Sequence, residues 1–143
     1  MKDPIYWVSL GETPGWGSLD LYFSPNNEWL IVQDGGASLG ISLRLFQRKK
    51  GAHFVEKNVQ LNEGAERLAL QRSGVKKGAT DHRYLQVVGW SNDSRFVILR
   101  LSGHGPDELR IRGWFTVYDV KTGKFSFDLN ALNEKSVEKP NAK

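Results

Sequence analysis

The residues that could perform chemistry in this chain are few and scattered. Ser38 stands in Gly36-Ala37-Ser38-Leu39-Gly40, which fits the G-x-S-x-G pattern of a serine nucleophile. Such a nucleophile needs a strand before it and a helix after it, whereas the residues that follow Gly40 alternate as in a strand. We therefore interpret the segment as a glycine-rich hairpin loop. A small hydrolase built around Ser38 or His104 is the least favoured class of function.

The three histidines, His53, His82 and His104, do not have the spacing of a metal site, and the chain has no cysteine. Zinc ligands usually appear in sequence as histidines or cysteines a few residues apart. Asp81 with His82, or His104 with Asp107, could act as acid–base pairs, but no nucleophile, base and orienting group can be named together. The sequence thus predicts no metal, no cofactor and no catalytic residue.

Arginine and aromatic residues alternate along one predicted strand. If Phe115 and Val117 point into the core, alternation places Arg110, Arg112, Trp114, Thr116 and Tyr118 on the opposite face. An equivalent earlier stretch carries Ser42, Arg44, Phe46 and Arg48. This mixture is enriched in protein-binding hot spots and in platforms for single-stranded nucleic acid. We predict a binding surface made of Arg110, Arg112, Trp114, Tyr118, His104, Arg44 and Phe46. The alternative is that the aromatic rings belong to the core.

The elements that position these residues are mostly short strands. Runs of β-branched and aromatic residues separated by turn sequences predict strands around Leu19–Phe23, Trp29–Val32, Ile41–Phe46, Tyr84–Val88, Phe96–Leu99 and Trp114–Tyr118. One segment differs, because Asn62 can cap a helix that runs from Glu63 to Arg72 and stops at Gly74. We expect a single helix of about three turns there.

An internal repeat is the strongest signal. The segment Ser24–Val32 aligns without a gap with Ser91–Leu99, 67 residues later, and Leu43–Gly51 aligns with Phe115–Gly123 at an offset of 72. The second copy therefore has a loop, Ser102–Leu109, that is five residues longer.

Each copy runs from a strand that ends in an aromatic residue through a Ser-Pro-Asn type of turn to an apolar strand and then to a further strand. In the second copy the last strand ends in Tyr118-Asp119-Val120-Lys121-Thr122-Gly123-Lys124. This order of features resembles the blade repeat of TolB-type β-propellers. The resemblance implies a four-stranded, blade-like meander in each copy and a scaffold rather than an activity. Because a closed propeller needs about four to eight blades, two copies exclude one within this chain.

We therefore expect one mainly antiparallel β domain over residues 1–130. Two four-stranded blade-like meanders, about 19–57 and 84–128, form a sandwich-like or open-barrel structure with a helix at about 63–72 between them. Residues 131–143 are expected to be a flexible tail. The strands Trp29–Val32 and Phe96–Leu99 are apolar at every position, so both of their faces should be covered, and this suggests a homodimer.

The composition is typical of a folded domain, and the distribution of charge suggests two kinds of binding partner. The 143 residues are 39% hydrophobic with a mean hydropathy of −0.46, and we expect a cytoplasmic protein because no membrane span or signal segment is evident. Residues 42–83 carry ten bases and four acids, a net charge of +6. The favoured function is a non-catalytic domain that binds a macromolecule, foremost a protein or a second copy, through a sheet face and the 102–109 loop. The alternative is nucleic-acid binding through the basic 42–83 segment.

Overall fold

The computed structural model describes residues 7–8, 19–35, 40–73, 80–106, 108–127 and 137–138. Within these ranges the chain forms ten strands and one helix: β1 (Trp7–Val8), β2 (Leu19–Phe23), β3 (Trp29–Asp34), β4 (Gly40–Arg48), β5 (His53–Glu56), α1 (Leu61–Arg72), β6 (His82–Trp90), β7 (Phe96–His104), β8 (Arg110–Asp119), β9 (Lys124–Phe127) and β10 (Val137–Glu138). The expected mainly β domain with one helix is confirmed. No helix in the ranges given above is long and apolar enough to cross a membrane.

Two antiparallel meanders make up most of the domain. Strands β2 to β5 pair in sequence order to form the first meander, and β6 to β9 form the second. Gly40–Ile41 of β4 pairs in parallel with Arg83–Tyr84 of β6, which joins the meanders into one sheet that does not close on itself. β1 lies parallel to β5 and β10 antiparallel to β8.

The prediction of a flexible tail is wrong for the two residues of β10. Val137–Glu138 pairs with Ile111 and Arg110 of β8, so these two residues belong to the sheet. The rest of segment 131–143, and the stop signal at Gly74, lie outside the described residues.

Each meander contains the same turn between its first two strands. The hydroxyl of Ser24 accepts a hydrogen bond from the Trp29 amide at 3.0 Å and donates to the Asn26 side chain at 2.8 Å. In the second meander, Ser91 accepts from the Phe96 amide at 2.9 Å and donates to Asp93 at 2.6 Å. Local side-chain to backbone bonds of this kind explain why the sequence Ser-x-Asn/Asp specifies the turn.

The two turns lie against each other. Asn27 and Ser94 hold equivalent left-handed backbone positions, with φ of 59° and 63°. The hydroxyl of Ser94 accepts a hydrogen bond from the Asn26 amide at 2.9 Å, and the indole N–H of Trp90 donates to the Tyr22 carbonyl at 3.1 Å. These contacts fix how the two meanders approach each other at this end of the domain.

The helix begins one residue before the predicted cap. Gln60 occupies the N-cap position without a side-chain hydrogen bond, so the prediction that Asn62 caps the helix is wrong. The Asn62 side chain instead accepts from the Leu43 amide at 3.3 Å and ties the helix to β4. Gly64 lets α1 pack closely on Phe125, because a Cβ there would lie 2.7 Å from the Phe125 ring and would force that ring to shift.

The main core lies between the two meanders and α1. It combines Ile31, Leu43 and Leu45 of the first meander with apolar residues of the second meander and helix residues, namely Leu85, Val87, Val97, Leu99, Leu101, Leu109, Ile111, Trp114, Tyr118, Leu61, Ala65, Ala69 and Leu70. A second cluster, Leu30, Val32, Phe46 and Phe54, lies on the other face of the first meander. Both faces of β3 are therefore covered, as expected, whereas Ile98 of β7 is 38% exposed.

A buried carboxylate closes the end of the second meander. Asp119 accepts hydrogen bonds from the Arg95 guanidinium, at 2.8 Å for the shortest, and from the amides of Lys121 and Thr122 at 2.9 Å and 3.3 Å. The hydrogen bond from Arg95 is the main reason that the pKa of Asp119 lies far below its usual range, and the hydrogen bonds from the two amides lower this pKa further.

Stability is expected to fall in acid because of this group. The folded-state pKa of Asp119 lies below that of an unfolded aspartate, about 3.9, so its contribution is present above that pH and is lost as the pH falls toward the folded value. Urea unfolding measured from pH 7 to pH 2.5 should show a shallower acid decline in Asp119→Asn and in Arg95→Gln. An unchanged decline in both variants would contradict this assignment.

Candidate functional site

A β-bulge in β8 decides which way the predicted binding residues point. Leu101 pairs with Trp114 and Gly103 pairs with Ile111, so one extra residue of β8 lies opposite Ser102. Gly113 takes a φ of +64°, and its amide donates to the Ser102 hydroxyl at 3.0 Å. An extra residue reverses the alternation of side chains along a strand. Ile111 and Trp114 thus face the same side although they are three residues apart.

This reversal places the predicted binding residues of β8 on two opposite faces of the sheet. Trp114 is 5% exposed and, like Tyr118, belongs to the main core. The Tyr118 ring meets the Phe125 ring edge to face at 5.3 Å, and burial raises the pKa of its hydroxyl. Arg110 and Arg112 lie on the opposite, exposed face. The prediction that the two aromatic residues form a binding surface with these arginines is therefore wrong, and the alternative of core aromatics holds.

The predicted binding residues of the first meander, Arg44 and Phe46, are also engaged in structural contacts. Phe46 is fully buried in the second cluster. Arg44 lies over the Phe46 ring at 5.5 Å and forms two hydrogen bonds with Glu56 at 2.7 Å and 2.8 Å. The hydrogen bond from Arg44 holds the pKa of Glu56 below its usual value. These side chains stabilise the β4–β5 pair and do not form a free surface.

The predicted 102–109 loop is only partly a loop, because its first three residues belong to β7. β7 continues to His104 and β8 begins at Arg110, so the connection is only residues 105–109. Leu109 is buried and its amide donates to the Pro106 carbonyl at 3.2 Å. The extra residues of the second copy thus lengthen its hairpin, and Asp107 lies outside the described residues.

The outer face of the second meander is the side of β6, β7 and β8 turned away from the main core. Cross-strand pairs that share this face include Gln86, Arg100 and Phe115 in one row and Ile98 with Val117 in another. Val88, the extra residue of a second bulge, is 53% exposed beside Ile98. The sequence prediction missed this face because it assigned Phe115 to the core, where Phe115 is instead half-buried on the outer face. Val117, which the prediction also assigned to the core, is buried, with 6% exposure.

Three exposed arginines belong to this outer face. Arg100 packs over Gly113, where a Cβ would lie 2.8 Å from its guanidinium nitrogens. Arg110 lies directly opposite His104, and Arg112 stands at the bulge. The face therefore joins exposed aliphatic side chains with a border of positive charge.

A cluster of one carboxylate and two imidazoles lies at the end of the same face. His82 and His104 are direct cross-strand partners, and their rings stack with centroids 4.4 Å apart and planes 19° apart. One carboxylate oxygen of Asp81 lies 3.0 Å from the Nδ1 of His82 and 3.9 Å from that of His104. The hydrogen bond to His82 lowers the pKa of Asp81. Spacing along the chain could not reveal this cluster, because strand pairing creates it.

A small cavity of about 150 Å³ adjoins the cluster at Asp81 and is lined also by Gly40, Ile41, Ser42, Asn62, Thr80 and Arg83. Beside it, Glu66 accepts hydrogen bonds from Thr80 at 2.6 Å and 2.9 Å and pairs with Arg83 at 3.0 Å. Of the G-x-S-x-G segment, only Gly40 falls within the described residues.

Comparison of the chain with protein-family models, with curated proteins and with solved structures finds no match. The resemblance to propeller blades stays a prediction.

Proposed function

We propose that this chain is a non-catalytic interaction domain that binds an acidic protein surface through the outer face of the second meander. The observation that carries the proposal is the contrast between two aligned positions. Ile31 of β3 is fully buried beneath the second meander, whereas Ile98 of β7, its counterpart in the repeat, is 38% exposed. The same side of the first meander is covered by the second meander, whereas no strand or helix among the described residues covers Ile98 in an equivalent way.

The exposed side chains have the composition of a binding surface. Val88 and Ile98 are adjacent aliphatic residues at the middle of a sheet, and half-buried Phe115 lies on the same face. Contiguous exposed apolar surface with a polar border commonly marks a protein contact. Aliphatic and aromatic side chains supply the buried centre of such a contact, and the charged border supplies its orientation.

Charge favours a foreign, acidic partner over a second copy on this face. A two-fold dimer would bring Arg100 and Arg110 of one chain near the same residues of its partner, and like charges across an interface oppose association. A carboxylate-rich partner would meet the arginine border with opposite charge. Homodimerisation stays a prediction, and light scattering distinguishes the chain mass of 16.2 kDa from twice that mass.

Nucleic-acid binding through segment 42–83 has less support. Arg44 pairs with Glu56, Arg48 with Glu28, and Arg83 with Glu63 and Glu66. These ion pairs engage three of the bases that gave the segment its positive charge. The other bases of the segment that the structure describes are spread over exposed positions between β4 and the end of α1, and such dispersed charge attracts phosphate more weakly. They are Lys49, Lys50, Lys57, Arg67 and Arg72.

The substitution Ile98→Asp tests the proposal against a matched control, Val55→Asp. Val55 is a similar exposed aliphatic residue, 49% exposed, on β5 of the first meander. A partner recovered from native extract by the unaltered chain should bind Ile98→Asp at least about thirtyfold more weakly, which is about 2 kcal/mol, and should bind Val55→Asp normally. Calorimetric titration of the recovered partner measures both.

Three results would overturn the proposal. Equal affinity of Ile98→Asp and the unaltered chain would remove the outer face from the interface. A light-scattering mass twice that of one chain, abolished by Ile98→Asp, would make the partner a second copy. Recovery of nucleic acid with an affinity that falls steeply with salt would favour the alternative.

A further inference from the structure

We propose that Asp81, His82 and His104 bind a divalent transition-metal ion, with Zn²⁺ the best fit. This inference is independent of the proposed protein interface. It contradicts the expectation of no metal site, which rested on the spacing of residues along the chain. The antiparallel pairing of β6 with β7 supplies the proximity that spacing lacks.

The three side chains lie close together, and rotation of the two stacked rings about their side-chain bonds would direct one nitrogen of each to a common ion. His82 and His104 stand opposite each other on neighbouring strands, so their side chains leave the sheet on the same side. Asp81 precedes β6, and its amide donates to the His104 carbonyl at 3.2 Å, which holds the aspartate beside both rings. One ligand atom from each of the three residues lies within 4.8 Å of the others.

These separations suit a small, nitrogen-seeking ion. Zn²⁺ binds imidazole nitrogen and carboxylate oxygen at about 2.0–2.2 Å, so tetrahedral donors stand roughly 3.3–3.6 Å apart. The contacts of 3.0 Å and 3.9 Å from the Asp81 oxygen bracket this range. Two imidazoles with one carboxylate favour zinc or copper over Mg²⁺ and Ca²⁺, which prefer oxygen donors. Three protein ligands leave an open coordination position for water or for a ligand carboxylate.

Access and charge point to a reversible site. The exposed side-chain fractions are 64% for Asp81, 32% for His82 and 45% for His104, so an ion can enter without movement of the sheet. Arg110, opposite His104, and Arg83, next to His82, add positive charge nearby. Arg83 is paired with Glu66 at 3.0 Å, and Arg110 is exposed and screened by solvent. Both arginines therefore weaken the binding of a metal ion but do not block its access to the three ligands.

Metal titration of the full chain tests the proposal. We expect one Zn²⁺ per chain by calorimetry, and Co²⁺ should give the visible absorption of a low-symmetry nitrogen and oxygen site. His82→Gln, His104→Gln and Asp81→Asn should each weaken Zn²⁺ binding at least about tenfold, because each removes a ligand and an outer-shell change alone costs about that much. His53→Gln is the matched control, since His53 is exposed on β5 of the other meander.

A second readout guards against variants that fold poorly. Zn²⁺ should raise the thermal midpoint of the unaltered chain and of His53→Gln, because an ion that binds only the folded state stabilises it. It should not raise the midpoint of His104→Gln, whose fold is checked by circular dichroism. The proposal is overturned if the unaltered chain binds no Zn²⁺ or Co²⁺, if His82→Gln and His104→Gln both bind as tightly as the unaltered chain, or if His53→Gln loses as much affinity as they do.

Discussion

Replacing Trp114 by alanine should lower the free energy of unfolding by about 3–5 kcal/mol, the usual cost of removing a large aromatic side chain from a core. Trp114 lies opposite Leu101 on the core side of β8 and is 5% exposed. The loss of its contacts leaves a cavity between the second meander and its neighbours. Urea unfolding followed by circular dichroism measures the difference.

The adjacent residue provides the control. Phe115 is also aromatic but lies half-buried on the outer face, so Phe115→Ala should cost clearly less stability. If Trp114→Ala left stability unchanged and removed partner binding instead, the reversal of faces at the β8 bulge would be refuted. A loss that is equal in the two variants would also contradict the burial of Trp114.

The second large effect is expected at Gly40, where β4 meets β6. Its φ is +149°, and a Cβ would lie 1.6 Å from the Arg83 carbonyl oxygen. Gly40→Ala therefore introduces backbone strain and also a clash with main-chain atoms, which cannot move away as a side chain can. Strain and overpacking each cost about 1–3 kcal/mol, so we expect a loss of more than about 3 kcal/mol in chemical denaturation.

Two other glycines separate these causes. Gly51 has a φ of +59° with no atom within 4 Å of a Cβ, so Gly51→Ala should show strain alone, about 1 kcal/mol. Gly89 has neither a positive φ nor a close neighbour, so Gly89→Ala should be nearly neutral. A Gly40→Ala variant as stable as Gly51→Ala would mean that β4 and β6 do not approach as described.

Local chemistry explains what the sequence could predict. The Ser24 and Ser91 turns depend on hydroxyl and carboxamide or carboxylate groups within five residues, and such bonds can be inferred from residue types alone. The strands and the helix follow from short-range patterns in the same way. Even there the start of the helix differs from the prediction, since Asn62 bonds to Leu43 of a distant strand and does not cap its own helix.

The candidate site depends on two non-local features that residue patterns do not contain. Gly113 reverses the side chains of β8 because an extra residue enters opposite Ser102. An isolated glycine in a strand pattern is a signal of a bulge, but only the pairing with β7 decides which residues then face the core. His82 and His104 meet only through the register of two strands. A single residue of register shift would separate them, so no spacing rule along the chain could have identified the pair.

The short joint between β4 and β6 also bears on how the chain folds. Within each meander the paired strands follow one another in sequence, whereas Gly40 and Arg83, which pair across the joint, lie 43 residues apart. Closing that long loop costs entropy before any contact stabilises it, so each meander should form first as its own cooperative unit. In the native state the two meanders are held together by two residue pairs of β4 and β6, by the hydrogen bonds between their turns and by the shared core. Partial opening should therefore separate two intact foldons, with the intervening helix docking as they meet.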